Sequence, residues 1–253
     1  MMVESSRHIC EGDIVMVGTG LPMAASLLAL KNHAPNMCCV VETGPIAPEV
    51  IPTPVSVSDP RVMYHAVSHG SMLDSLGSVL QRGLADIAFL GAAQIDQFAN
   101  LNSTVIGSYY SPTVRLPGSG GANDMASHAR KILVISRHEK RRFPAHCDYI
   151  TSPGYIDGPH GRKKAGLPVP YPDITVVTNM AVLTIEKNSG RLSVDKMMPG
   201  LTLEEIRAST GFELLDSGHI STVDKPSERE LRILRTQVDP KGLYLGNEDT
   251  RPV

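Results

Sequence analysis

Ile14-Val15-Met16-Val17-Gly18-Thr19-Gly20-Leu21-Pro22 and Met37-Cys38-Cys39-Val40-Val41-Glu42-Thr43-Gly44-Pro45 are the stretches that decide the fold. The first is a short apolar run that breaks at glycine and leads into a helical stretch, residues 22–30, with proline at its start. The second is apolar without alternation, as a strand covered on both faces requires. Strand, glycine turn, helix and strand make one βαβ unit. Working outward, the pattern predicts a helix over 72–82, a strand over 86–90, a helix over 122–130 and a strand over 131–136. This alternation predicts an α/β protein with an open, mostly parallel sheet and helices on both faces.

The texture changes beyond Pro144. Proline and glycine crowd residues 151–172, and two strand-like runs, 174–178 and 181–186, read as an antiparallel edge added to the parallel sheet. Residues 201–209 and 227–238 read as helices, with Thr202 and Ser227 as caps and Glu205 and Glu230 three positions on. The expected organisation is one domain over 1–253, in which 144–200 form a loop with antiparallel strands and 201–253 the C-terminal helices.

Composition excludes several functions. The 253 residues carry a net charge of −2 and no tryptophan, so neither a basic field nor a stacking platform favours nucleic acid. The opening MMVESSRHIC lacks a basic start and an apolar run, and no apolar stretch is long enough to span a bilayer, so a cytoplasmic protein without membrane contact is expected. Cys10, Cys38, Cys39 and Cys147 show no Cys-x-x-Cys spacing and are expected to be reduced.

Glu42 ends an apolar strand, where open α/β sheets place ligands. Desolvation there raises a carboxyl pKa and backbone N–H donors lower it again, and a poorly hydrated carboxylate is a competent nucleophile. The same pattern also occurs where a glutamate only caps a turn. Two glycine turns, Gly18-Thr19-Gly20 and Gly118-Ser119-Gly120-Gly121-Ala122-Asn123, can aim N–H groups at an anion. The first is not a dinucleotide fingerprint, because Met23 stands where the third glycine would be. Gln94 and Asp96 close the strand over 86–90, where Gln94 could orient an acyl group. The run Arg137-His138-Glu139-Lys140-Arg141-Arg142 could hold phosphates but reads more simply as a solvated face. His65 and His69 have no third ligand, so no metal is expected, and no G-x-S-x-G elbow supports a serine nucleophile.

Taken in order, residues 17–22, 40–44, 91–96 and 118–123 resemble the family I CoA-transferases. His138-Glu139-Lys140-Arg141-Arg142-Phe143 and Tyr149-Ile150-Thr151-Ser152-Pro153-Gly154-Tyr155-Ile156-Asp157-Gly158-Pro159 resemble β-type subunits of the glutaconate CoA-transferase kind. The resemblance implies an α-type partner in a hetero-oligomer and ping-pong transfer of CoA between a short dicarboxylic acyl-CoA and an acceptor acid. Coenzyme A is then a substrate, held transiently as a thioester on Glu42. It further implies acyl or oxyanion contacts from Gly120, Gly121, Ala122 and Gln94, with Gly18, Gly20 and Gly118 in cofactor-binding loops. Two departures stand out: Thr43 follows the glutamate, and the helix expected before the first strand is largely missing, as though the start were truncated. Relatives of this fold that hydrolyse or decarboxylate acyl-CoA tend to lack the glutamate, which favours transfer over those reactions. The glutamate and the missing helix-turn-helix argue against a ligand-sensing domain.

Overall fold

The computed structural model describes residues 1–18, 20–49, 54, 56–57 and 59–245; Thr19 of the first glycine turn and positions 246–253 of the expected C-terminal part lie outside the described residues. The chain forms two compact units, one comprising Met2–Phe89 and Lys225 onward, the other Leu90–Asp224 with Met1.

The first unit opens with helix α1 (Met2–Ser6), a five-residue helix with every residue buried, where the sequence led us to expect the helix largely missing. Strand β1 (Ile14–Val17), helix α2 (Leu21–Asn32) and strand β2 (Cys38–Val41) then form the βαβ unit. Residues 22–29 of α2 are all buried, so the helix has no polar face to present to water. Short strands β3 (Pro45–Ile46) and β4 (Ser68–His69) follow, then a helical segment Leu73–Gln81 and strand β5 (Ile87–Gly91). Strand order is β5-β1-β2-β3-β4. β1 runs parallel to both β2 and β5, and the β2–β3 and β3–β4 pairs are antiparallel. The segment expected as an α-helix over 72–82 is a π-helix, whose wider turn often marks functional sites.

The second unit begins with two small hairpins, β6 (Gln94–Ile95) with β7 (Leu101–Asn102) and β8 (Val105–Ser108) with β9 (Ser111–Arg115). Helix α3 (Ala122–His128), strand β10 (Lys131–Ile135), helix α4 (Gly161–Lys164) and strands β11 (Asp173–Val177), β12 (Ala181–Glu186) and β13 (Arg191–Met197) follow. Helix α5 (Leu203–Ala208) and strand β14 (Leu215–Thr222) complete it. Strand order is β14-β13-β12-β11-β10. β10 and β11 are parallel, whereas β11, β12 and β13 form the antiparallel edge expected from residues 174–186. β13 and β14 were not foreseen. Six of the eight positions in β14 are exposed, so this strand carries no apolar signal. Fully buried Val134, Val176, Val177, Val182, Leu183 and Val194 build the core here.

Helix α6 (Glu228–Ile233) returns the chain to the first unit, packs on α2 and continues as a π turn through Val238. Thr202 and Ser227 form complete capping boxes with Glu205 and Glu230, as their spacing predicts. Glu230 also takes a two-point contact from Arg7 (Nε to Oε1 3.0 Å, Nη2 to Oε2 2.9 Å), which fastens the end of α1 to α6. The architecture is the expected open α/β fold, parallel at β5–β1–β2 and β10–β11 and antiparallel toward β4 and β13.

Candidate functional site

The parallel register pairs Val17 with Val41, so Gly18 and Glu42 leave the first unit's sheet side by side at its carboxyl edge. Glu42 is half-buried, and its backbone is clamped from two sides. Ser75, fully buried on the π-helix, donates its hydroxyl to the Glu42 carbonyl oxygen at 2.6 Å. Gly44 has φ +121°, and a Cβ there would run into the Gly70 carbonyl, while Gly70 N–H donates to Gly44 O at 3.2 Å. No side chain fits position 44. Between these anchors the Thr43 hydroxyl is buried with no hydrogen-bond partner among the described residues. Sequence reasoning missed Ser75, because an unremarkable serine in a helical stretch carries no signal until the wider π turn aims it at β2.

Gly20 caps α2 with φ +88°, the conformation that makes glycine necessary there, whereas Gly18 has open space around it. The Gly20 N–H, expected to face an anion, meets the Tyr244 hydroxyl, which itself donates to Pro54 O at 2.9 Å.

The second glycine turn lies in the other unit. Gly118 (φ +98°) and Gly120 (φ +49°) use the freedom that only glycine has, and Gly121 caps α3. Ser103 holds the turn at both faces of Gly118: Gly118 N–H donates to Ser103 O and Ser103 Oγ to Gly118 O, each at 2.8 Å. Asn123 Nδ2 donates to Thr151 O at 2.8 Å, tying α3 to the segment 149–159 singled out by its sequence. Ala122 N–H donates to Ser119 O at 2.9 Å, so of the expected oxyanion donors this one is engaged inside the turn. Gly120 N–H has no acceptor among the described residues.

Behind this turn lies a residue that sequence reasoning passed over. Arg162 is wholly buried and donates five hydrogen bonds to carbonyl oxygens, to Val169 (2.7 Å), Pro153 (2.8 Å), Gly154 (3.1 Å), Ala126 (2.9 Å) and Ser127 (3.2 Å). Burial lowers its pKa to about 10, still cationic at neutral pH. It joins the last turn of α3 to the 153–154 loop.

Gln94 is buried in a polar network: its Oε1 accepts from Asn102 Nδ2 (2.7 Å) and Asp148 N–H (3.1 Å), and its Nε2 donates to Asp148 Oδ2 (3.0 Å). Asp96 accepts from Phe98 N–H, Asn100 N–H and Asn100 Nδ2; burial raises its pKa and these donors pull it back. His138 is not on a solvated face. It is buried, stacks on Phe143 at 4.2 Å, and contacts Thr178 and Thr210 hydroxyls through its two ring nitrogens (3.2 and 2.9 Å). Burial lowers its pKa to about 4. Arg137, Lys140 and Arg141 of the same run are exposed, as expected. Neither His65 nor His69 joins a metal-binding group: His65 pairs with Glu49 (2.9 Å), and among the described residues there is no cluster of three metal-ligating side chains. No helix among the described residues is long and apolar enough to cross a membrane.

Residues 1–209 of this open α/β chain match the family described as Coenzyme A transferase. The chain belongs to that family and is of its β type. It is 36% identical over 247 residues to the β-type chain of glutaconate CoA-transferase from Acidaminococcus fermentans, covering 96% of this chain and 92% of the relative. It is 35% identical to the β-type chain of 3-oxoadipate CoA-transferase from Pseudomonas knackmussii, covering 93% and 90%. The crystal structure of glutaconate coenzyme A-transferase from Acidaminococcus fermentans superposes with a TM-score of 0.90 at 35% identity, covering 96% of this chain and 95% of that one.

Proposed function

We propose that the chain works with an α-type partner to move CoA from a short dicarboxylic acyl-CoA to an acceptor acid, with Glu42 as the nucleophile. The observation that carries the assignment is the rigid main chain at Glu42, held by Ser75 and Gly44 at the carboxyl edge of a buried parallel strand. A nucleophile held in one geometry spends little entropy on reaching its target. The relatives' names supply the class of acid, since glutaconate and 3-oxoadipate are both dicarboxylates.

The Glu42 carboxylate attacks the thioester carbonyl, forming an acyl–glutamyl anhydride and releasing CoA thiolate. The thiolate attacks the glutamyl carbonyl of that anhydride, leaving a glutamyl-CoA thioester and the free carboxylate of the first acid. An acceptor carboxylate then attacks the glutamyl thioester, and the released thiolate attacks the acceptor's acyl carbon, regenerating Glu42. No water is consumed, so the thioester's energy is conserved and the site has to exclude water. We assign the oxyanion-holding role to the N–H groups of the Gly120–Gly121–Ala122 turn; such a donor contributes about 3 kcal/mol to a transition state.

The chain co-expressed with its α-type partner and supplied with glutaryl-CoA and acetate is expected to yield acetyl-CoA, and Glu42→Ala to lose at least a thousandfold in rate. Normal transfer by Glu42→Ala, or free CoA as the only product of the unaltered complex, would overturn the reading.

A further inference from the structure

The second unit contains a cavity of about 290 Å³ that brings together two groups far apart in the sequence, the amide of Gln94 and the guanidinium groups of Arg141 and Arg142. Its apolar wall comes from the β8–β9 hairpin, with Ile106 on β8, Val114 on β9 and Leu116 just beyond.

The polar groups at this cavity are donors with hydrogen-bonding capacity to spare. The amide of Gln94 is locked in orientation, because both bonds to Oε1 come from donors and Nε2 faces the Asp148 carboxylate. An amide nitrogen has two N–H donors, and the second has no acceptor among the described residues. Arg142 Nε is buried, is ion-paired with Glu139 Oε2 at 3.5 Å and has no hydrogen-bond acceptor among the described residues. Arg141 Nε donates to the same Glu139 oxygen at 2.7 Å. One carboxylate thus serves two guanidinium groups, so each of them keeps donor capacity beyond its contact with Glu139. Asp148, the other nearby acid, does not line the cavity, and its Oδ2 is occupied by Gln94 and by the Gly107 N–H at 2.9 Å.

A half-buried guanidinium and a fixed amide donor beside an apolar wall suit an amphipathic anion. Size narrows the class: 290 Å³ lies near the lower limit of ligand pockets, about 300 Å³, and is too small for the nucleotide end of CoA. The geometry points to a carboxylate pocket in which Arg142 and the spare N–H of Gln94 bind one carboxylate of a short dicarboxylic acid and the β8–β9 wall packs its methylenes. The choice of a dicarboxylic acid rests on the transferase reading, whereas the anion site rests on the cavity alone.

The test is calorimetric titration of the complex of this chain and its α-type partner with glutarate and, as a monocarboxylate of similar length, butyrate. Glutarate is expected to bind, Arg142→Gln to weaken it at least tenfold with butyrate unchanged, and Arg142→Lys to recover part of the loss. Val114→Trp, at a half-exposed strand position, fills the cavity without touching the charges and is expected to displace glutarate as well. No binding of glutarate by the unaltered complex, or unchanged binding by both Arg142→Gln and Val114→Trp, would overturn the proposal. Glu42→Ala separates the two readings: it is expected to bind glutarate normally, and if it also catalysed transfer, the transferase reading would fail while the pocket stood.

Discussion

Glu42 shows how little one residue's pattern settles. An apolar run ending in glutamate is compatible with a turn cap as well as a nucleophile. Family membership supplies the argument for chemistry, and the structure adds the clamp: the Ser75 hydroxyl on the Glu42 carbonyl, and a glycine at 44 that nothing can replace. Ser75→Ala removes the hydroxyl and leaves a carbonyl unpaired. It is expected to lower kcat about ten- to a hundredfold with KM near its original value, since ångström-scale misplacement of a reacting group costs about that much. Steady-state kinetics of the complex check it; an equal loss in KM would show that the contact supports binding instead. Gly44→Ala is expected to destabilise the protein by at least about 2 kcal/mol, measured by denaturant unfolding, because both its positive φ and the Gly70 carbonyl oppose a side chain. Neither Ser75 nor Gly70 could be matched to Glu42 from sequence, because their meeting depends on where the π-helix stands against β2.

At the scale of elements, what was legible followed from periodicity and caps. β1, β2, α2 and β10–β12 are built from apolar runs bounded by glycine, proline or charge, and each lies within two residues of its expected limits. The capping boxes at Thr202 and Ser227 were readable because the spacing of hydroxyl and glutamate is itself the structure. Thr202→Ala and Ser227→Ala are each expected to cost about 1 kcal/mol in unfolding experiments. The two hairpins, β6–β7 and β8–β9, were not readable: their strands have only two to five residues, and polar contacts of Asn102 and Asp148, distant or irregular in sequence, help hold them. Arg162 was invisible for a related reason, since its partners are carbonyl oxygens, which no side-chain pattern reveals. Replacing it with Met removes five hydrogen bonds to carbonyl oxygens and is expected to destabilise the fold by about 3–5 kcal/mol, with the 153–154 loop and α3 losing hydrogen-exchange protection first.

Across the whole molecule, the ordered set of short motifs, from the 17–22 turn to the 149–159 segment, carried the family, and the match over residues 1–209 agrees with it. The cavity at Arg142 was not legible, because it draws on residues up to 49 positions apart that only the tertiary structure brings together. Stability should depend on pH through His138. Its folded pKa, about 4, lies below the ordinary value of 6.5 because burial disfavours the charged ring. Between those values the unfolded chain binds a proton that the folded chain does not, so stability is full above about pH 6.5 and falls as the pH drops toward 4, by about 3 kcal/mol. Unfolding midpoints over that range should decline, and less steeply in His138→Asn.

The central claim is that CoA passes through a covalent bond to Glu42. Incubating the complex with acyl-CoA, reducing it with borohydride and sequencing the peptides by mass spectrometry tests this directly. The account expects the Glu42 side chain alone to be reduced to the alcohol, in step with loss of transferase activity; full turnover with Glu42 unmodified, or modification of another carboxylate, would contradict it.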